Sequence, residues 1–236
     1  MFRRIKTSAI YMALIFALLF ICDTAMSIAV NVPRIAAIEQ LPVIILDAGH
    51  GGIDGGAVSS DDVLEKDINL AIVLNLRDMF TACGFKVVLT REDDRSIHDE
   101  GVSGIRNQKI SDLQNRLEII ESYGLNAVFL SIHQNKYSGA SSYGAQIFYS
   151  SNHPDSMYLA QLLQEKIVST VQPNNKRKIK NAEKGLYLMH EAKCPAVLVE
   201  CGFLSNIQDT RDLQNPEYRK QLSLAILSAV LSYVDM

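Results

Sequence analysis

The sequence carries almost no excess charge of either sign. Its 23 lysines and arginines face 26 aspartates and glutamates, for a net charge of −3. That excludes the concentrated cationic surface needed to make nucleic acid a principal partner. Cysteine is scarce, with four in 236 residues, and their placement disfavours disulfides. Cys22 lies in an apolar N-terminal run, Cys83 ends an expected helix, and Cys194 and Cys201 flank the extended stretch PAVLVE. Seven extended residues span roughly 23 Å, far beyond disulfide reach, so unpaired, buried thiols are expected. No internal repeat is visible. Phosphate-binding signatures are also missing, although Leu46–Gly56, LDAGHGGIDGG, holds five glycines. A dinucleotide fingerprint started at Gly49 finds Gly51 and then fails at Asp54. A Walker loop fails because Ala57, not lysine, follows Gly56.

Long apolar runs are absent except at the start. Arg3, Arg4 and Lys6 precede an uncharged run from Ser8 to Cys22 that Asp23 ends. A basic start followed by about fifteen apolar residues fits an export signal or a short membrane anchor. Ala25-Met26-Ser27 offers a cleavage site, and both outcomes stay open. Bulky Ile21 before Cys22 argues against a lipid-modified leader. Residues 1–30 are therefore read as a signal peptide or anchor and 31–40 as a linker, with the protein working outside the cytoplasmic membrane.

The remainder, from residue 41 to 236, has an apolar fraction sufficient for one core and alternates strand and helix patterns. PVIILDAGH (42–50) reads as a buried strand ended by glycines. Helical spacing runs from Glu65 to Cys83, with Ile68, Ala71, Ile72, Leu74, Leu76 and Phe80 on one face and Gly84 as the stop. Further strands are expected over 85–91, 126–135, 143–150 and 195–205, the one over 143–150 antiparallel at an edge. Helices are expected over 110–123, with Leu113, Leu117 and Ile120 on one stripe, and over 157–171 and 218–234. This alternation predicts a three-layer α/β domain around a mainly parallel sheet.

Two glycines would make a turn after the first strand. The surplus implies that something bulky approaches the backbone, and His50 inside the loop supplies a candidate. His133 closes AVFLSIH and Glu200 closes AVLVE, so three ionisable or metal-binding side chains stand at strand ends, where ligand sites of open α/β sheets lie. Glu65, at the start of the first helix, is a fourth that the glycine loop can bring to the same edge. Two imidazoles and a carboxylate form a common catalytic zinc set, with a second carboxylate free to take a proton from water.

At these residues the sequence resembles the zinc-dependent N-acetylmuramoyl-L-alanine amidases, which cut between glycan and stem peptide in peptidoglycan. The matching segments are LDAGHGGIDGGA (46–57), EKD (65–67), LTR (89–91), LQNRLEII (113–120), SIHQN (131–135) and VECGFLSN (199–206). They occur in order and span the domain. The resemblance implies a six-stranded sheet flanked by helices, Zn2+ held by His50, Glu65 and His133, and Glu200 as the catalytic carboxylate. It implies peptidoglycan as substrate and leaves open an activating protein partner. Within the family the bare catalytic unit most resembles the spore-cortex amidase that prepares muramic acid for muramic-δ-lactam formation. Three positions depart from the family pattern: Ala48 replaces a proline, which is expected to loosen the His50 loop, Gln134 a small residue, and Cys201 a valine or threonine. Strand alternation points Cys201 away from Glu200, into the core.

Asp47 is a candidate for orienting a ligand imidazole and Asn135 for a hydrogen bond to substrate or loop, although both also read as strand-end caps. Arg91 and Arg116 are expected to pin loops through ion pairs. His98, His153 and His190 are expected to be solvated, as are Lys176, Arg177, Lys178 and Lys180. Two rival functions remain at this point: a zinc peptidase cutting within the stem peptide, and a wall-binding module without turnover.

Overall fold

The computed structural model describes residues 41–137, 141–182 and 184–235. The leader and linker expected over 1–40, with Cys22, lie outside the described residues. Strand β1 (Val43–Ala48) carries Ile44, Ile45, Leu46 and Ala48 fully buried. That is the pattern of a parallel strand covered on both faces. It pairs in parallel with β2 (Val87–Leu89) and β3 (Ala127–Asn135). Strand β6 (Ala196–Phe203) continues the parallel set beside β3. Beyond it β4 (Gln146–Tyr149) runs antiparallel, and the two-residue β5 (Lys180–Asn181) closes the edge in the order β2-β1-β3-β6-β4-β5. The sheet is six-stranded, mixed and mostly parallel, so the carboxyl ends of β1, β3 and β6 emerge at one edge.

Helices form the two outer layers. Helices α1 (Glu65–Ala82) and α3 (Asp155–Thr170) each pack on α6 (Pro216–Val234), with α1 against β1 and β3 and α3 against β4. On the other face Ile45, Phe129 and Leu198 of the strands meet Ile120 of α2 (Ile105–Glu121) and Leu188 and Met189 of α4 (Tyr187–Glu191). A further helix, α5 (Ile207–Gln214), starts at Asn206, whose side chain accepts from the amides of Gln208 and Asp209. This is an N-cap of the usual kind.

Several elements differ from the sequence expectation, for physical reasons. Helix α2 begins five residues early, because Ile105 to Lys109 is polar or exposed and shows no apolar period. Its buried residues are Ser111, Asp112, Arg116 and Ile120, whereas Leu113 of the expected stripe is exposed. Strand β4 is one strand in from the edge, since the basic loop supplies β5. Arg177 in that loop is not simply solvated: its guanidinium lies 4.2 Å from the Phe203 ring centroid and donates to the Tyr143 carbonyl. Lys176, Lys178 and Lys180 are exposed. Cys83, Cys194 and Cys201 are all unpaired; the last two are buried as expected, and Cys83 is exposed.

Candidate metal centre

The strand ends dictate where the four acid and imidazole groups meet. Along β1 the side chains alternate, so Asp47 faces the α2 layer, and the chain then leaves the sheet through Gly49 and His50. His50 has φ +64°, a left-handed conformation that a residue with a Cβ adopts only when its surroundings enforce it. Here the enforcement is visible. Arg116 Nη2 donates to the His50 carbonyl at 2.7 Å, and Arg116 and Arg91 both donate to the Ala48 carbonyl, at 2.9 and 2.8 Å. The loosening expected from Ala48 is therefore opposed by two buried guanidiniums.

The glycines answer the question that the loop raises. A Cβ on Gly49 would stand 2.2 Å from the His133 ring, and one on Gly56 (φ +69°) would stand 2.6 Å from Glu65 Oε2 and 2.7 Å from His50 Cδ2. Backbone without side chain is what lets the two rings and the carboxylate close on one point.

Glu65 opens α1, where a negative charge suits the positive end of the helix dipole. Its Oε2 accepts from Ala57 N at 2.7 Å and lies 3.2 Å from His50 Nε2; its Oε1 lies 2.9 Å from His133 Nδ1 and accepts from Gln134 N at 3.0 Å. One ligand atom from each of His50, Glu65 and His133 falls within 4.8 Å of the others. The two rings meet edge-on with centroids 5.0 Å apart. Among the described residues this is the one such cluster able to hold a metal ion. Burial alone would lift the Glu65 pKa, but hydrogen bonds from His133 and His50 hold it far below the ordinary range. Burial would likewise lower that of His50, yet Glu65 and Asp54 together push it to about 9.

Glu200 sits beside this trio, its Cα paired in register with that of His133. Burial is the chief cause that raises its pKa to about 7. Its Oε2 is buried without a hydrogen-bond partner among the described residues, a costly condition unless something comes to meet it. A cleft of about 160 Å³, lined by His50, Asp54, Lys109, Leu113, His133 and Leu188, opens onto the two imidazoles of the trio. Two nitrogens, one carboxylate and a spare buried carboxylate with access from outside are a donor set that fits a catalytic zinc ion.

Other expectations resolve differently. Asp47 accepts from Arg116 and Thr90 and, at its other oxygen, from Ser131. The carboxylate on His50 is instead Asp54, 2.9 Å from Nδ1 and itself paired with Lys109. Position 54, four residues after the histidine inside the glycine loop, was the available signal. Arg116 makes ion pairs with Asp47 and Asp112, as expected, whereas Arg91 acts on carbonyls, those of Ala48, Gly49, Lys66 and Asp93. The backbone carbonyl of Asn135 accepts from Leu204 N, continuing the β3–β6 pairing. His190 is exposed; His98 and His153 are half-buried, with their Nδ1 atoms on Ser96 Oγ and on the amide of Asp155.

An α/β sheet with a candidate metal trio and a buried carboxylate at its carboxyl edge defines a hydrolase-like domain. Comparison makes the class specific. The profile of the N-acetylmuramoyl-L-alanine amidase family matches residues 44–232, and the chain belongs to that family. It is 35% identical over 191 residues to the germination-specific N-acetylmuramoyl-L-alanine amidase of Bacillus subtilis, covering 81% of this chain and 79% of that one. Among solved structures it is similar to the CwlD amidase of Clostridioides difficile in complex with the GerS lipoprotein. That match has 41% identity and a TM-score of 0.78, covering 82% of this chain and 98% of that one. An N-acetylmuramoyl-L-alanine amidase from Clostridium difficile 630 matches at 30% identity and TM-score 0.70, over 83% and 98%. The chain is thus an N-acetylmuramoyl-L-alanine amidase acting on peptidoglycan, which displaces the peptidase and non-catalytic readings.

Proposed function

We propose that this amidase is zinc-dependent, that His50, Glu65 and His133 hold the ion, and that Glu200 is its general acid and base. The observation that carries this reading is the convergence of three ligand atoms within 4.8 Å beside a buried, unpartnered carboxylate oxygen. Zinc supplies an acidified water and polarisation of the scissile carbonyl when bound. Glu200 takes the proton of the attacking water and returns it to the departing alanine nitrogen. A carboxyl group with a pKa near neutrality is suited to doing both. Asp54 on Nδ1 fixes the His50 ring so that Nε2 faces the trio.

The proposal extends to place and substrate. The similar proteins are a germination-specific amidase and an amidase whose structure is that of a complex with a lipoprotein. Together with the export pattern at the N-terminus, they support action on spore-cortex peptidoglycan outside the cytoplasmic membrane, with a protein partner of comparable kind. Among the described residues no helix is long and apolar enough to cross a membrane.

Muropeptide profiling of the purified protein with and without a chelator tests the reading. Intact stem peptides beginning with L-alanine should be released and should vanish on chelation. Undiminished release after exhaustive metal removal would contradict it. A second expectation follows from His50, whose raised pKa keeps the ring protonated below about 9 in the metal-free site. Zn2+ must displace that proton, so apparent affinity should climb about tenfold per pH unit from neutrality toward 9, with about one proton released per ion. Calorimetry in buffers of different ionisation heat counts that proton, and a count near zero would show that His50 carries no proton for the metal to displace.

A further inference from the structure

Gln134 and Cys201 lie together beneath the candidate metal centre. They follow His133 and Glu200 on adjacent strands, and alternation turns both toward the α1 side of the sheet. Gln134 is 3% exposed and Cys201 fully buried. Asn69 of α1, also fully buried, reaches the same spot.

The hydrogen-bond directions there follow from chemistry. Asn69 Nδ2 lies 3.1 Å from the Gly49 carbonyl and 3.3 Å from Glu65 Oε1. A carbonyl and an ionised carboxylate can only accept, so the amide of Asn69 must present its NH2 to them and its Oδ1 the other way. Oδ1 in turn accepts from Gln134 Nε2 at 3.0 Å. This leaves Gln134 Oε1 buried without a hydrogen-bond partner among the described residues. Turning the glutamine amide over would face two acceptors at each other. The orientation is therefore locked, and one unpartnered carbonyl is tolerated to keep it.

We propose that Asn69 and Gln134 are positioning residues: a buried amide relay that holds the Glu65 carboxylate at its angle between His50 and His133 and thereby sets the affinity and geometry of the metal. This deepens the zinc reading above and rests on it. The relay bears on Oε1 alone, the oxygen nearest His133, while Ala57 N holds Oε2. Its two donors confine the carboxylate's rotation about the bond from Cγ to Cδ. Gln134 contributes twice, through its backbone amide to Glu65 and through its side chain to Asn69, and only the second contact depends on side-chain identity.

Gln134→Met keeps volume and backbone donor but removes the relay. Zn2+ alone is titrated against a competing chromophoric chelator, and the visible bands of the Co2+-loaded protein report the ligand field. Zn2+ affinity is expected to fall about tenfold, within the range that partners of metal ligands command, and the Co2+ bands to move. Asn69→Ala should give a similar loss, and the double variant little more than either single one, because the two amides act in series. Affinity within twofold of wild type, or weakened binding with unaltered Co2+ bands, overturns the relay. Should a variant fail to fold, judged by metal-free melting against wild type, Gln134→Leu carries the same comparison. Wild-type protein that binds no Zn2+ would overturn the metal reading as well, an outcome distinct from intact binding that Gln134 leaves untouched.

Discussion

Glu200→Gln is expected to lose about 10²- to 10⁴-fold in turnover, the range that positioned acid–base groups supply, while still binding zinc within a few-fold of wild type. Glutamine keeps the shape of glutamate but can neither accept the proton of the attacking water nor deliver one to the leaving nitrogen. Glu200 is suited to both tasks by its surroundings. Burial lifts its pKa to about 7, and no neighbour among the described residues takes its Oε2. Because the three proposed ligands are other residues, the variant separates metal binding from chemistry. Stem-peptide release by chromatography and zinc content by equilibrium dialysis give the two readouts. Turnover near the wild-type rate would remove Glu200 from the mechanism.

Arg116→Met is expected to destabilise the domain by about 3–5 kcal/mol, the usual penalty for leaving a buried ion without its partner. Arg116 is 2% exposed and Asp47 1%. Their Nη1–Oδ1 separation is 2.5 Å, and Asp112 holds Nε at 2.6 Å. The guanidinium also ties the carbonyls of Ala48 and His50, so the variant frees the loop that carries His50 in its left-handed conformation. The pH dependence carries a sign. Burial alone would raise the Asp47 pKa; the charge of Arg116, helped by His133, Ser131 and Thr90, brings it down to about 2. A depressed folded pKa contributes stability that is complete above the unfolded value near 4 and is lost as pH falls through about 2. Without Arg116 burial dominates and the folded pKa rises above the unfolded one. Stability of the variant should then decline as pH rises past 4, opposite to the wild type. Denaturant unfolding at pH 4 and pH 7 measures both, and equal losses at the two pH values would show that Asp47 finds another partner.

The parts of this architecture legible in the sequence are those written as contrasts along the chain. PVIIL, AVFLSIH and AVLVE each switch from a continuous apolar run to an ionisable residue, and such runs become strands buried on both faces. Their ends place His50, His133 and Glu200 on one edge, and the helix that starts at Glu65 has a clear apolar period. What escaped was polar burial. Helix α2 puts Ile120 and Leu117 of the expected stripe on the core but turns Arg116 and Asp112 inward and leaves Leu113 outside, because a desolvated ion pair with Asp47 replaces hydrophobic contact at the sheet edge. The sequence offers Asp47 as the partner of a ligand histidine, whereas the loop geometry places Asp54 on His50 Nδ1. Strand β5, two residues long, and α4, five residues long, are too short to show a period. The Gln134–Asn69 contact joins residues 65 positions apart, which no local pattern encodes.

The central claim is that two imidazoles and one carboxylate at the carboxyl edge of the sheet grip a single divalent ion next to Glu200. Anomalous diffraction on either side of the zinc absorption edge, from crystals of the protein grown with zinc, addresses it most directly. The account predicts one strong peak bonded to His50, Glu65 and His133 with the Glu200 carboxylate close by. A peak at other residues, or the trio intact with no peak, would contradict it.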